Sequence, residues 1–167
     1  GGVLLRLKKK KINDFLLING DTIFNIKIDD FVKSLKRKDL GSIAIVAKKK
    51  NTKSFKLNNL MLRKNHVFYK RRSNLINGGI YFFNKKIIKY LPAGYSSLEN
   101  DILPKMIKKG LIKGKLYKDF FIDIGSPEYL KKTTKQLLIN FKKPAVFLDR
   151  DGVINHDYGY VHKYRNF

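Results

Sequence analysis

Apolar runs of strand length alternate along the chain with short polar breaks. Asp14-Phe15-Leu16-Leu17-Ile18-Asn19 has a continuous apolar centre and closes on Gly20-Asp21, so it reads as a buried parallel strand ending in a turn. Residues 29–38 carry Phe31, Val32 and Leu35 at helical spacing, and Gly41 stops that pattern before Ser42-Ile43-Ala44-Ile45-Val46-Ala47, a second strand. Strand, helix, strand is the order of a βαβ unit.

Residues 51–65 are polar and Lys-rich, a loop or short hairpin ahead of two β-rich segments, His66-Val67-Phe68-Tyr69 and residues 75–83. Gly78-Gly79 inside the second implies a bulge or a close backbone approach to a ligand. Ser97-Leu98-Glu99-Asn100-Asp101 opens a helix with a capping Ser and early acids. That helix runs toward Lys109 and stops at Gly110, with Pro104 confined to its first turns or kinking it. Phe120-Phe121-Ile122-Asp123-Ile124 is a further strand, and Gly125-Ser126-Pro127-Glu128 starts a helix with Ser as N-cap and Pro at its first position, reaching about residue 141. Lys142-Lys143-Pro144 then resets the chain before Ala145-Val146-Phe147-Leu148, a fresh buried strand.

Composition narrows the function classes. A chain of 167 residues fits one domain, or a shorter one with part of another, since domains typically take about 100 to 200 residues. Lys and Arg number 37 against 13 Asp and Glu, giving a formal charge of +24, yet 43% of the residues are hydrophobic, which marks a globular chain. Seven of the basic residues are Arg and the other 30 are dispersed Lys, whereas a nucleic-acid reader favours clustered Arg. The charge is therefore read as lysine background on solvated faces, with no specific nucleic-acid partner expected; a basic nucleic-acid-binding module without catalysis remains the alternative of a different class.

The absence of cysteine excludes disulfides, thiolate nucleophiles and Cys-based zinc sites within this stretch. No apolar run approaches the roughly 18 to 20 residues that span a bilayer, so no membrane partner is expected and the cytoplasm is the expected location. The opening Gly1-Gly2-Val3-Leu4-Leu5-Arg6 has neither an initiating Met nor a signal-peptide layout, which suggests a cut N-terminus.

Two acids stand out. Asp21 and Asp123 each follow an apolar strand, where ligands collect in open α/β sheets. If the two strand ends meet, their carboxylates suit one Mg²⁺, which commonly takes one or two carboxylates plus substrate phosphates. The competing reading of Asp after Gly is plain turn chemistry.

The residues here carry a resemblance. Phe15-Leu16-Leu17-Ile18-Asn19-Gly20-Asp21-Thr22, Asn77-Gly78-Gly79-Ile80-Tyr81, Ser97-Leu98-Glu99-Asn100-Asp101 and Phe121-Ile122-Asp123-Ile124-Gly125-Ser126-Pro127 resemble, in order and spacing, the successive motifs of sugar-phosphate nucleotidyltransferases across residues 1 to about 140. The resemblance implies that Asp21 and Asp123 bind Mg²⁺ and that Gly79 and Glu99 contact the sugar. Gly1-Gly2 resembles the tail of the segment lining the nucleotide base, which makes Gly2 a substrate-binding candidate. The family's Gly-rich phosphate loop is absent, and Tyr69-Lys70-Arg71-Arg72 stands where the family has Glu-Lys-Pro. For Glu99, a simple helix-start acid is the alternative reading.

Phe147-Leu148-Asp149-Arg150-Asp151-Gly152-Val153-Ile154 is the strongest short signal; Asp-x-Asp-Gly-Val arises by chance on the order of once in several hundred chains of this length. An Asp at a strand end can attack phosphorus, and a second Asp two residues on points the same way as general acid and base. This segment resembles motif I of the haloacid dehalogenase superfamily, and its extension through His156 and His162 is similar to the D-glycero-D-manno-heptose 1,7-bisphosphate phosphatases. The resemblance implies that Asp149 is nucleophile and Mg²⁺ ligand, and that Asp151 is acid/base and lends its carbonyl to the metal. Histidinol-phosphate phosphatases share the motif. His156 and His162 are read as loop or surface residues.

The expected fold class is α/β: a Rossmann-like mixed sheet of a nucleotidyltransferase, truncated at its N-terminus, over residues 1–141, a linker at 142–144, and the N-terminal piece of a haloacid dehalogenase-type phosphatase domain over 145–167. The expected function is a fragment of a bifunctional enzyme of heptose activation, inactive alone, using GTP or another nucleoside triphosphate and a sugar phosphate. A mannose or glucose 1-phosphate nucleotidyltransferase joined to a histidinol-phosphatase-like domain is the other reading. Oligomeric state is not legible.

Overall fold

The computed structural model describes residues 12–36, 38–47, 59–71, 73–94 and 96–124, together with Leu4, Leu7, Thr133, Thr134, Leu137 and Ile139. The chain divides into two compact units, Gly1–Leu130 and Lys131–Phe167. The expected helix after Ser126, apart from four single positions, and the expected strand 145–148 lie outside the described residues.

The first unit is built on a six-stranded mixed sheet in the order β1-β6-β3-β7-β5-β4. Its strands are β1 (Phe15–Ile18), β3 (Gly41–Ala47), β4 (Leu60–Arg63), β5 (His66–Tyr69), β6 (Leu75–Phe83) and β7 (Ile112–Tyr117). β2 (Thr22–Phe24) and β8 (Phe121–Asp123) form a separate antiparallel ribbon. The sheet is mixed because β3 runs parallel to β7 and antiparallel to β6. An α/β fold with a mixed sheet is what the sequence leads one to expect.

β3 explains the layering. Ile43 and Ile45 enter one cluster, with Tyr81, Phe83, Ile102, Leu103 and Ile112, while Ala44 and Val46 enter a second, with Phe24, Phe31, Ile76 and Ile80. Period-two alternation thus buries a continuous apolar strand on both faces. Phe31, fully buried, comes from α1 (Ile28–Val32). Truncating such a phenyl to Ala typically costs about 3–5 kcal/mol.

Three expectations need correction. β1 is not a doubly covered parallel strand: its register runs antiparallel to β6, Phe15 opposite Phe83 through Ile18 opposite Ile80, and Ile18 is 50% exposed. Its apolar run was equally consistent with a half-covered strand at the side of the sheet. The helix expected over residues 29–38 ends at Val32, because Lys33 already caps it and Leu35 lies beyond. The strand expected at residues 120–124 is shortened to Phe121–Asp123, and it pairs with β2.

Two other expectations hold among the described residues. The loop-or-hairpin segment resolves, over its described part, into the β4–β5 hairpin, turned by Lys64 and Asn65, both at positive φ (44° and 67°), the geometry of a tight primed turn. Ser97 caps the helix as expected. Its Oγ accepts from Asn100 N at 3.2 Å, and its own N–H donates to Asp101 Oδ2 at 2.6 Å. Pro104 is accommodated by a wide π-type turn, Leu98–Ile102, after which α2 (Leu103–Lys108) starts with the proline in its first turn, where no intrahelical N–H is missed.

Candidate functional site

The site grows from a bulge in β6. Ile43 pairs with Tyr81 and Ile45 with Asn77, so four steps along β6 are matched by two along β3, and the surplus falls at Gly78-Gly79-Ile80. Gly79 sits at φ +71°, where a side chain is disfavoured. A Cβ there would lie 2.9 Å from Thr22 Oγ1 and 3.1 Å from Asn19 Nδ2. Gly78 is equally confined, since a Cβ would press into the Phe24 ring. The glycine pair therefore lets β6 close onto the β1–β2 turn.

That turn is held from both sides. Asn19 N donates to the Gly79 carbonyl at 2.8 Å, and Ile124 N donates to the Asp21 carbonyl at 2.8 Å. Thr22 stands directly opposite Asp123 in the ribbon, and directly opposite residues share a face. Because Thr22 Oγ1 is against Gly79, Asp123 is brought to the same side as Gly79 and Asn19. Asp21 is one step diagonal to Asp123, and Thr22 Oγ1 donates a long 3.4 Å contact to its Oδ1.

The two expected metal residues are thus neighbours along the backbone of the β2–β8 ribbon. Among the described residues no group of three or more His, Asp or Glu converges as a wholly protein-made metal cage would require. A pair of carboxylates is an all-oxygen donor set of the kind Mg²⁺ shares with phosphates.

Glu99 lies on the other flank of the bulge, half-buried in the first turn of the capped helix. Tyr81 Oη donates to Glu99 Oε1 at 2.9 Å and accepts from Asn77 Nδ2 at 2.6 Å. Asn77 Oδ1 in turn accepts from Gly79 N at 3.0 Å. Burial, and then the Glu99 charge, push the Tyr81 phenol far above its ordinary range. The same two causes raise Tyr69 to about 12. Glu99 is therefore more than a helix-start acid: its field and one oxygen are turned toward two tyrosines from β5 and β6.

Of the other candidates, Gly2, Asp149 and Asp151 lie outside the described residues. Asn77 and Tyr81 were quoted in the sequence motif but not singled out. Their spacing of four on a strand puts them on one face, which is the signal that could have found them. Asn19 and Thr22 gave no such signal, since their role depends on the bulge.

No protein-family model matches the chain. The bifunctional protein GlmU of Methanococcus aeolicus is 31% identical over 152 residues, covering 85% of this chain and 36% of that protein. The D-glycero-alpha-D-manno-heptose 1-phosphate guanylyltransferase of Campylobacter jejuni is 28% identical over 134 residues, 77% of this chain and 58% of that protein. A stretch of 25 residues, 15% of this chain, is 76% identical to the D-glycero-beta-D-manno-heptose-1,7-bisphosphate 7-phosphatase of Vibrio cholerae, covering 13% of that protein. Among solved structures, HddC from Yersinia pseudotuberculosis complexed with GMP-PN superposes with a TM-score of 0.64 at 29% identity, over 81% of this chain and 61% of that one. The chain is thus homologous to nucleotidyltransferases and has their fold, while spanning about a third of the length of GlmU.

Proposed function

We propose that the chain contributes the metal-binding and sugar-binding side of a sugar-phosphate nucleotidyltransferase, acting on heptose 1-phosphate and GTP, in a protein that also carries a heptose 1,7-bisphosphate phosphatase. The observation that carries the first part is the junction of Asp21 and Asp123 beside Gly79, with Glu99 turned in by Tyr81.

In this reading a phosphate oxygen of the sugar 1-phosphate attacks the α-phosphorus of the triphosphate, forming one P–O bond as the bond to the departing pyrophosphate breaks. Asp21 and Asp123 would hold Mg²⁺, which offsets phosphate charge as it shifts to the leaving group. Glu99, a hydrogen-bond acceptor at the edge of the bulge, would take sugar hydroxyls. Gly79 has already given its N–H to Asn77, so its contribution is the absence of a side chain, which lets β6 close onto Asn19 and Thr22 and sets the bulge beside the two acids. Positioning and electrostatics carry the reaction, with no covalent protein intermediate.

Two observations favour heptose and GTP: the heptose 1-phosphate guanylyltransferase homology and the short stretch shared with a heptose bisphosphatase. We assign that stretch to the segment around Asp149. There the Asp149 carboxylate would attack the 7-phosphate while Asp151 protonates the departing sugar oxygen, and water would then hydrolyse the aspartyl-phosphate. Both steps are assigned to one anomer, so that removal of its 7-phosphate would yield the 1-phosphate the transferase takes, whereas the two relatives are named for opposite anomers, beta for the phosphatase and alpha for the guanylyltransferase.

The test supplies the protein with heptose 1,7-bisphosphate, GTP and Mg²⁺. GDP-heptose is expected. Formation of another sugar nucleotide, from mannose or glucose 1-phosphate, would overturn the substrate assignment and leave the transferase reading standing.

A further inference from the structure

Resting on that reading, we propose that Tyr81 is a positioning residue for sugar recognition, its hydroxyl fixing the rotamer of Glu99 and the amide orientation of Asn77 at once. The phenol is fully buried, and its ring stacks on Phe83 with centroids 5.6 Å apart and planes 10° from parallel. Phe83 fills the same cluster without a hydroxyl, so packing alone does not call for a tyrosine at position 81.

What the hydroxyl adds is a chain of fixed polarity. A phenol has one proton, and here it goes to Glu99 Oε1. The oxygen must then accept, which selects the NH₂ side of the Asn77 amide. With Nδ2 so engaged, Oδ1 faces the Gly79 N–H, which it accepts at 3.0 Å. Each link determines the next, from the bulge that closes on the Asp21 turn to the carboxylate on the capped helix. Glu99 Oε1 is occupied, and the acid presents the sugar with one orientation rather than several. Preorganisation of this kind reduces the ordering required on binding.

The test compares Tyr81→Phe, Glu99→Ala and the double variant in nucleotidyl transfer. Tyr81→Phe is expected to raise KM for the sugar 1-phosphate about tenfold while leaving KM for the nucleotide unchanged, since a hydrogen bond to a charged group is lost. In the Glu99→Ala background the same change is expected to do little more, because Tyr81 acts through Glu99. Full additivity, or an equal rise in nucleotide KM, would reduce Tyr81 to a packing residue. Glu99→Gln supplies a check that leaves Tyr81 intact: Gln keeps an oxygen for the phenol proton and should retain sugar binding better than Ala. Equal loss in Gln and Ala would overturn the positioning role. If the wild type transfers no nucleotide to any sugar 1-phosphate, the functional reading itself fails and the positioning role goes with it. Transfer by the wild type with Tyr81→Phe unchanged sinks only the latter.

Discussion

Ile124 donates its backbone N–H to the carbonyl of Asp21 at 2.8 Å, and this bond extends the β2–β8 ribbon by one step beyond the Thr22–Asp123 pair. The two acids are consequently neighbours by backbone construction, independent of any side-chain contact between them. Asp21→Asn and Asp123→Asn keep shape and remove charge, so each should fold normally. Each is expected to lower nucleotidyl transfer by at least roughly a hundredfold, the scale of losing a metal ligand that stabilises transition-state charge. Urea unfolding and steady-state rates at increasing Mg²⁺ measure the two effects separately. Asp149→Asn should abolish phosphate release alone, and cross-effects would argue against two independent centres.

Much of this arrangement was legible in the residues. The motif order pointed to Asp21, Gly79, Glu99 and Asp123, and Gly78-Gly79 signalled a bulge or a close backbone approach, of which the bulge is present in β6. The partners of β1 and β8 were not legible. An apolar run of four looks the same in a covered strand and in a half-covered one, and a three-residue strand carries too few positions to state which sheet it joins. β7 escaped notice for a related reason: Ile112-Lys113-Gly114-Lys115-Leu116-Tyr117 carries two lysines in a short segment, and both are engaged within the fold, Lys113 with Asp39 and Lys115 with the Asp30 carbonyl. The Asn77–Tyr81–Glu99 chain needed three dimensions, since Glu99 comes from a different element.

Gly79 should tolerate no side chain. Gly79→Ala must place a Cβ in the left-handed region, which costs about 1–2 kcal/mol, and must also displace Thr22 Oγ1 and Asn19, 2.9 and 3.1 Å away. Gly20→Ala is the control, because nothing lies within 4 Å of its Cβ position. Chemical denaturation should show a clear loss for the first and little for the second. Any activity remaining in Gly79→Ala should fall further than stability, as Thr22 sits between Asp21 and Asp123 in the ribbon.

Alkaline pH should act on three phenols with raised pKa, of which Tyr81 is fully buried and Tyr69 is 40% exposed. Tyr69 and Tyr117 are both raised from the ordinary 10.0 to about 12, and Tyr81 further, in each case chiefly by burial and then by a nearby carboxylate: Glu99 for Tyr69 and Tyr81, Asp30 and Asp119 for Tyr117. A phenol whose folded pKa exceeds its unfolded one keeps its proton longer in the folded state. Between pH 10 and 12 the unfolded chain therefore holds fewer protons, and stability falls as pH rises through that window. Below pH 10 these groups leave stability unchanged. Urea midpoints across this window should show that decline, and Tyr81→Phe should make it shallower; a midpoint independent of pH there would contradict the upward shift of these phenols.

Asp39 presents the opposite problem, a carboxylate buried to 3% exposure whose compensation is Lys113, with Nζ 3.7 Å from Oδ1. Its second oxygen, Oδ2, has no hydrogen-bond partner among the described residues. Lys113 Nζ also lies 3.0 Å from His66 Nε2, at the one pair that joins β5 to β7. Lys113→Met keeps the aliphatic stem and deletes the charge, leaving Asp39 uncompensated, a change that typically costs about 3–5 kcal/mol. Asp39→Asn alone removes the buried charge but leaves Lys113 with His66, so its cost should be smaller. The double variant should recover most of the loss, because a neutral amide beside Met no longer buries a charge. Urea unfolding of the three variants decides it: a Lys113→Met variant as stable as the parent would mean that the 3.7 Å pair contributes nothing and that Asp39 is satisfied by other means.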